Sequence, residues 1–247
     1  MKKVLAVLAT TTAVVAPAML APATLAHTFA PAAANVKRPT FAGYEFQNYV
    51  AVPAQVSAAI VVPKLKCKKG PQRDIEPGVG MESVSAFAGL FVFCQKGKAH
   101  YYPSLEVGSS TKNFPSDKAH AGDRIEFMMV QSTSRTTDTV IDETHHFTAR
   151  KSGAGSGTGY GPTVGDFSVD IGTTKLGIPN FGTLTFSDAL ANGASSAAGP
   201  FGSLGSPSAA PSGYNLVTGP GATGALQVTT GPLSTSGETF ETVFKHP

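Results

Sequence analysis

The sequence predicts an all-β protein built as an antiparallel sandwich, on three observations. Short runs that alternate apolar and polar residues, or are rich in Val, Ile, Thr and Phe, recur along the chain at close spacing. They are punctuated by 27 Gly and 18 Pro in 247 residues, with Ser and Asn around them. No long segment carries the i, i+3, i+4 apolar stripe of a helix, which favours a sandwich over an α/β fold.

Taken in order, Met1, Lys2 and Lys3 begin a charged start. An apolar run from Val4 to Ala16 and small-residue sites at Ala21-Pro22-Ala23 and Thr24-Leu25-Ala26 follow. This is the pattern of a secretory signal peptide over residues 1–26. The run is too short for an ordinary membrane span, and no later segment approaches the roughly 20 apolar residues one needs. A secreted, extracellular protein without a membrane span is therefore expected, cleaved near residues 23–26. Residues 27–40 are Ala- and Pro-rich and read as a flexible leader. A single domain is expected over residues 41–247. The formal charge of +3 includes Lys2 and Lys3; without them the small balance excludes nucleic acid as an expected partner. Lys64, Lys66, Lys68, Lys69 and Arg73 read as a solvated loop, and a monomer is expected.

The expected strands are Tyr44 to Val52, Val56 to Val62, Ser83 to Gln95, Arg124 to Gln131, Thr139 to Thr148, Phe167 to Ile171, Thr183 to Phe186, Ala225 to Thr229 and Thr239 to Phe244. Residues 189–213 are nearly all Ala, Gly, Ser and Pro, too poor in large apolar groups to pack a core, and read as a long mobile loop. Cys67 and Cys94 are the only cysteines. An even count in an exported chain predicts one structural disulfide between them.

Alternation also nominates functional residues. Asp166, Ser168 and Asp170 alternate with Phe167, Val169 and Ile171, which places two carboxylates on one sheet face. Phe91, Phe93 and Gln95 share a face, opposite Val92 and Cys94. His145 and His146, as neighbours on a strand, point to opposite faces and cannot jointly hold an ion, so no metal site is expected. His100, Tyr101 and Tyr102 read as a strand end with half-buried tyrosines. No Gly-x-Ser-x-Gly elbow supports a serine triad.

Several segments, in order, resemble the glutamic peptidases, the eqolisin or scytalidoglutamic-peptidase family. Phe41-Ala42-Gly43 stands where the family has Trp-Gly-Gly or Trp-Ala-Gly. Val56-Ser57-Ala58-Ala59-Ile60-Val61-Val62-Pro63 is similar to V-S-A-T-A-N-V-P, and Ser85-Ala86-Phe87-Ala88-Gly89-Leu90 to S-A-W-V-G-I. Cys94-Gln95-Lys96-Gly97 is similar to L-Q-T-G, and Gly165-Asp166-Phe167-Ser168-Val169-Asp170 to A-E-F-I-I-E.

The resemblance implies a curved, concanavalin-like sandwich and an acid endopeptidase acting on protein or peptide substrates without a cofactor. Asp166 takes the glutamate's role as general base and acid, and Gln95 the glutamine's role as oxyanion donor. Phe41, Phe87 and Asp170 fall at substrate-binding positions. The chain departs from the pattern in having Asp for Glu, which withdraws the oxygens by roughly 1 Å and can cost about a hundredfold in rate. It has no Trp at all, and Leu90-Phe91-Val92-Phe93 replaces an Asp-containing loop. The alternative expectation is a degenerate secreted sandwich that binds peptide or glycan, or serves a structural role.

Overall fold

A computed structural model of the chain describes residues 36–38, 41–45, 54–70, 73–81, 86–115, 119–155, 162–167, 178–192, 199–200, 212–217 and 225–245. These residues form sixteen strands and no helix, so none among them is a helix long and apolar enough to cross a membrane. The strands are β1 (Val36–Arg38), β2 (Phe41–Glu45), β3 (Ala54–Val61), β4 (Arg73–Met81), β5 (Ala86–Gln95), β6 (Lys98–Val107), β7 (Ser110–Asn113) and β8 (Arg124–Gln131). They continue with β9 (Arg135–Asp142), β10 (Phe147–Ala154), β11 (Pro162–Phe167), β12 (Thr183–Asn192), β13 (Gly199–Pro200), β14 (Ser212–Val217), β15 (Leu226–Thr230) and β16 (Phe240–Phe244).

One hydrogen-bonded path, β10-β9-β8-β3-β12-β16-β15-β14-β2-β11-β4-β5-β6-β7, folds back on itself into two leaves. Strands β3, β8 and β9 pack across β4, β5, β6 and β11. The core between them follows from alternation. Ile125, Phe127 and Met129 of β8 are fully buried against the inward Ile75, Val79, Leu90, Val92 and Leu105 of the facing leaf. At the fold-back, Phe186 of β12 stacks on Phe240 of β16 at 4.9 Å, and Tyr44 of β2 meets the same ring edge-on at 5.0 Å. The Tyr44 hydroxyl donates to the Gly231 carbonyl and accepts from the Leu233 N–H, so its polar end is satisfied inside the core.

The structure adjusts several expected elements. The segment from Thr139 to Thr148 is a hairpin corner, because Glu143 to His146 turn between β9 and β10 with His146 at φ +58°. The basic stretch ends in a strand, since Arg73 begins β4. The low-complexity stretch is entered from both ends. β12 runs on through Ala189 and Ala191, which are fully buried, and β14 starts at Ser212. There β12 is flanked by β3 on one side and by the short β13 on the other. Within the expected leader, Val36–Arg38 pairs in parallel with β14, and the Arg38 guanidinium lies 3.9 Å from the Tyr214 ring and 2.7 Å from Glu45. Residues 1–26 lie outside the described residues.

The expected disulfide is present. Cys67, in the segment after β3, is bonded to Cys94 near the end of β5, with the two Cα atoms 5.4 Å apart. It closes a loop with a sequence separation of 27, which on the chain-entropy argument stabilises the fold by about 3–4 kcal/mol. The double replacement Cys67→Ser/Cys94→Ser should lower the free energy of unfolding in urea by about that amount. An unchanged midpoint would show that the bond constrains nothing in the unfolded chain.

Candidate active site

Glycines organise the leaf that carries most of the nominated residues. Gly165 of β11 is level with Gly43 of β2 on one side and Gly78 of β4 on the other, and Gly78 is level with Gly89 of β5. Four adjacent strands thus lack a side chain at one level, on the face turned away from the core. A Cβ on Gly43 would stand 2.6 Å from the Gly165 Cα, and one on Gly78 2.7 Å from the Gly89 Cα, closer than real Cβ contacts allow. Aromatic rings fill the space. The Phe41 ring lies against Gly43 and Gly165, and the Phe87 ring against Gly78 and Gly89. Phe41 and Phe87 are 3 % and 9 % exposed. Two of the three positions expected to bind substrate therefore fill the floor with their own side chains.

Beyond Phe87 the same face carries an aromatic patch on the β5–β6 hairpin. Phe91 and Phe93 are 4.9 Å apart, Phe93 stacks on His100 at 4.8 Å, and Tyr102 is 5.6 Å from Phe93. Phe91, His100 and Tyr102 are half-buried. Tyr101 points the other way, into the core, where its hydroxyl donates to the Pro63 carbonyl and accepts from the Leu65 N–H. The strand-end reading is thus corrected: these residues lie within β6, nine of whose ten residues pair with β5.

Gln95 lies on this aromatic face, as alternation predicts, but it is exposed at the hairpin corner. Lys96 and Gly97 follow with φ +51° and +80°, the two-residue turn that right-twisted strands favour. Asp166 lies on the opposite face. It pairs with Ala42 and Pro77, both buried, and its own exposure is zero. The polar-face assignment is corrected here: Val164 and Asp166 point into the core, while Thr163 and Gly165 occupy the aromatic side. Asp170 lies outside the described residues.

Burial dominates the chemistry of Asp166. It pushes the carboxyl's pKa up to about 7, opposed only by the Thr242 hydroxyl facing it from β16. No hydrogen bond of ordinary geometry reaches either carboxylate oxygen, so we take desolvation as the governing effect. Strand β9 holds a second such acid that the sequence reading missed. Asp138 is fully buried between the leaves, and desolvation raises its pKa to about 8. Lys151 and the Phe87 N–H pull the other way, and Glu106 adds to the rise. Asp138 lies one residue before the expected strand from Thr139 to Thr148, and its neighbours carry no signal of its depth. Glu106 stands beside Phe87 on the aromatic face, in the alternation Tyr102, Ser104, Glu106 that a strand reading of this segment would have exposed.

The geometry has relatives. The fold is similar to a crystal structure of scytalido-glutamic peptidase with a peptide-based transition state analog, at a TM-score of 0.61 and 13 % identity, over 84 % of this chain and 99 % of that one. It is similar also to SCP-B, a member of the eqolisin family of peptidases, in a complex with the tripeptide Ala-Ile-His. The TM-score there is 0.58 and the identity 12 %, over 84 % and 99 % of the two chains. These likenesses define an eqolisin-type sandwich. The sequence model of the Peptidase A4 family matches residues 39–206, more than half of the chain, and the chain belongs to that family. No curated protein matches it.

The buried acids give stability a definite pH dependence. Below the ordinary carboxylate pKa, Asp166 is protonated in both folded and unfolded chains and costs nothing. Between about pH 4 and 7 only the unfolded chain ionises, so stability falls as pH rises, by on the order of 4 kcal/mol once pH exceeds 7. Asp166→Asn should therefore melt close to the parent at pH 4 and increasingly above it by pH 8. A gap that closes with rising pH would show that the carboxyl is not held in the core.

Proposed function

We propose that this chain is an exported Peptidase A4 protein that binds peptide on the aromatic face of the β5–β6 hairpin and does not hydrolyse it through Gln95 and Asp166. The observation that carries this reading is that the two residues project from opposite faces of one sheet. A general base must come within about 3 Å of its water, and an oxyanion donor within about 3 Å of the same carbon's oxygen. Asp166 is level with Pro77, whereas Gln95 lies beyond Cys94, which pairs with Arg73. The offset along the strands alone is about 17 Å at 3.3–3.4 Å per residue.

Peptide is the favoured ligand on two grounds. Two proteins of similar fold are seen with a peptide-based analog and with Ala-Ile-His. The half-buried Phe91, His100 and Tyr102 offer flat apolar surface, which suits an extended segment with an apolar side chain. Export is supported by the Lys2-Lys3 start, the apolar run after it and the disulfide.

The test combines hydrolysis of an unfolded protein across pH 2–7 with calorimetric titration of Ala-Ile-His and a Phe-containing hexapeptide. Cleavage should not exceed that of Gln95→Ala or Asp166→Asn. Peptide should bind at millimolar concentration or below, weakened about 5- to 10-fold by Phe91→Ala or Tyr102→Ala. Acid cleavage lost in both Gln95→Ala and Asp166→Asn would overturn the reading in favour of an endopeptidase. Absence of peptide binding would overturn it in favour of another ligand.

A further inference from the structure

Away from the aromatic face, two loops meet at one end of the β3-β8-β9-β10 leaf. The first runs from His120 to Asp123, ahead of β8. Its Gly122 takes φ +98°, and the loop is fastened to the end of β3 by Val62 N–H to the Asp123 carbonyl and Gly122 N–H to the Val62 carbonyl, at 2.8 and 2.9 Å. The second is the β9–β10 turn, where the Asp142 Oδ1 accepts the N–H groups of Thr144 and His145, each at 2.8 Å. Asp123 and Asp142 are buried, at 4 % and 0 % exposure. The His120 and His145 rings stand above them in solvent, with centroids 5.1 Å apart.

We propose that His120, Asp123, His145 and Asp142 form a binding site for one divalent transition ion of the zinc class. Three distances carry it. Asp123 Oδ2 lies 3.4 Å from His120 Nδ1 and 3.2 Å from His145 Nδ1, and His145 Nδ1 lies 3.3 Å from Asp142 Oδ2. A tetrahedral ion with bonds of about 2.0–2.1 Å holds its donors about 3.3–3.4 Å apart. Three of the six edges of such a tetrahedron already have that length, before any ion draws the donors in. The donor atoms of His120, Asp123 and His145 all lie within 4.8 Å of one another.

Pairwise hydrogen bonding accounts less well for this arrangement. Asp123 Oδ2 accepts the His120 backbone N–H at 2.5 Å, and the His145 ring is aligned on Asp142 as a hydrogen bond, but the two ring contacts that converge on Asp123 Oδ2 have the distance without the direction. Nor does a fixed cation balance the carboxylates. Arg124, next to Asp123, is committed to Glu143 and Asp188, each at 2.6 Å. Among the described residues the ion-pair partners of Asp123 and Asp142 are imidazoles alone. A neutral imidazole offers a lone pair and no charge, and a dication supplies what is missing. Two imidazoles with carboxylates suit zinc, cobalt or nickel rather than calcium or magnesium, which prefer all-oxygen shells. Bound there, the ion ties the loop before β8 to the β9–β10 turn.

The experiment uses the untagged mature chain, stripped with chelator and titrated with Zn2+ by calorimetry and with Co2+ by visible absorption. One equivalent should bind, with the intense visible bands of four-coordinate cobalt and a rise in melting temperature. His120→Ala and His145→Ala should each weaken binding by about 100-fold or more, beyond what loss of an outer-shell partner costs. His146→Ala, one residue away but outside the cluster, should bind as the parent does. Without metal, His120→Ala and His146→Ala should melt near the parent, whereas His145→Ala, which loses its hydrogen bond to the buried Asp142, should melt somewhat below it. Absence of saturable binding at one equivalent, binding undiminished in both His120→Ala and His145→Ala, or displacement of cobalt by millimolar Ca2+ would each overturn the proposal. Peptide binding and hydrolysis enter none of these readouts, so this site stands or falls apart from the aromatic face.

Discussion

A strand offers a side chain only two directions, and the placement of β11 between Gly43 and Gly78 decides which residues receive the inward one. With Gly165 held level with these glycines, Asp166 must enter the core beside Ala42 and Pro77. Its carboxyl then faces Thr242 instead of a ligand. A shift of one residue would exchange the two faces of β11, but it would also put Val164 on the aromatic side and Asp166 where only glycine fits against the neighbouring backbones. The close approach of the glycine-bearing strands thus fixes which face of β11 carries Asp166.

Phe41 and Phe87 belong to the same constraint. Phe41 and Phe87 lie down on pairs of glycines, so each ring gains contact with two backbones and little of it is left for a ligand. What remains reachable is displaced along β5 and β6, where Phe91, His100 and Tyr102 stand on strands whose opposite face is sealed by Leu90, Val92 and Tyr101. Hydrolysis and recognition make different demands here. Recognition needs flat, partly exposed rings on a stiff sheet, whereas hydrolysis needs a base and an oxyanion donor on one carbon within a fraction of an ångström.

The strands most legible in the sequence were those with one clean face. Arg124–Gln131 was readable to the residue because Ile125, Phe127 and Met129 point into the core while Glu126, Met128 and Val130 point outward. β4 was not, because Glu76-Pro77-Gly78-Val79-Gly80 carries the composition of a loop; Gly78 serves close packing under Phe87 and not a turn. At Gln95-Lys96-Gly97 the letters left the local structure open. A hairpin corner, with both turn residues at positive φ, has the same letters as a fragment of a catalytic element. The direction of Asp166 was likewise beyond reach, because alternation fixes which residues share a face but not which face is inside.

Long-range juxtaposition was hidden most completely. Read as strand neighbours, His145 and His146 exclude each other from a common ligand. The turn that breaks the strand gives His145 a different partner, His120, brought in by a loop that the alternation did not connect to it. The buried acids follow the same rule at greater depth. Asp138 and Asp166 come from different leaves, and each is destabilising when ionised, so the core they share favours acid conditions whether or not the aromatic face performs any chemistry. Acid tolerance and acid catalysis are therefore separable in this fold: the first rests on which carboxyls are buried, the second on which remain on the open face.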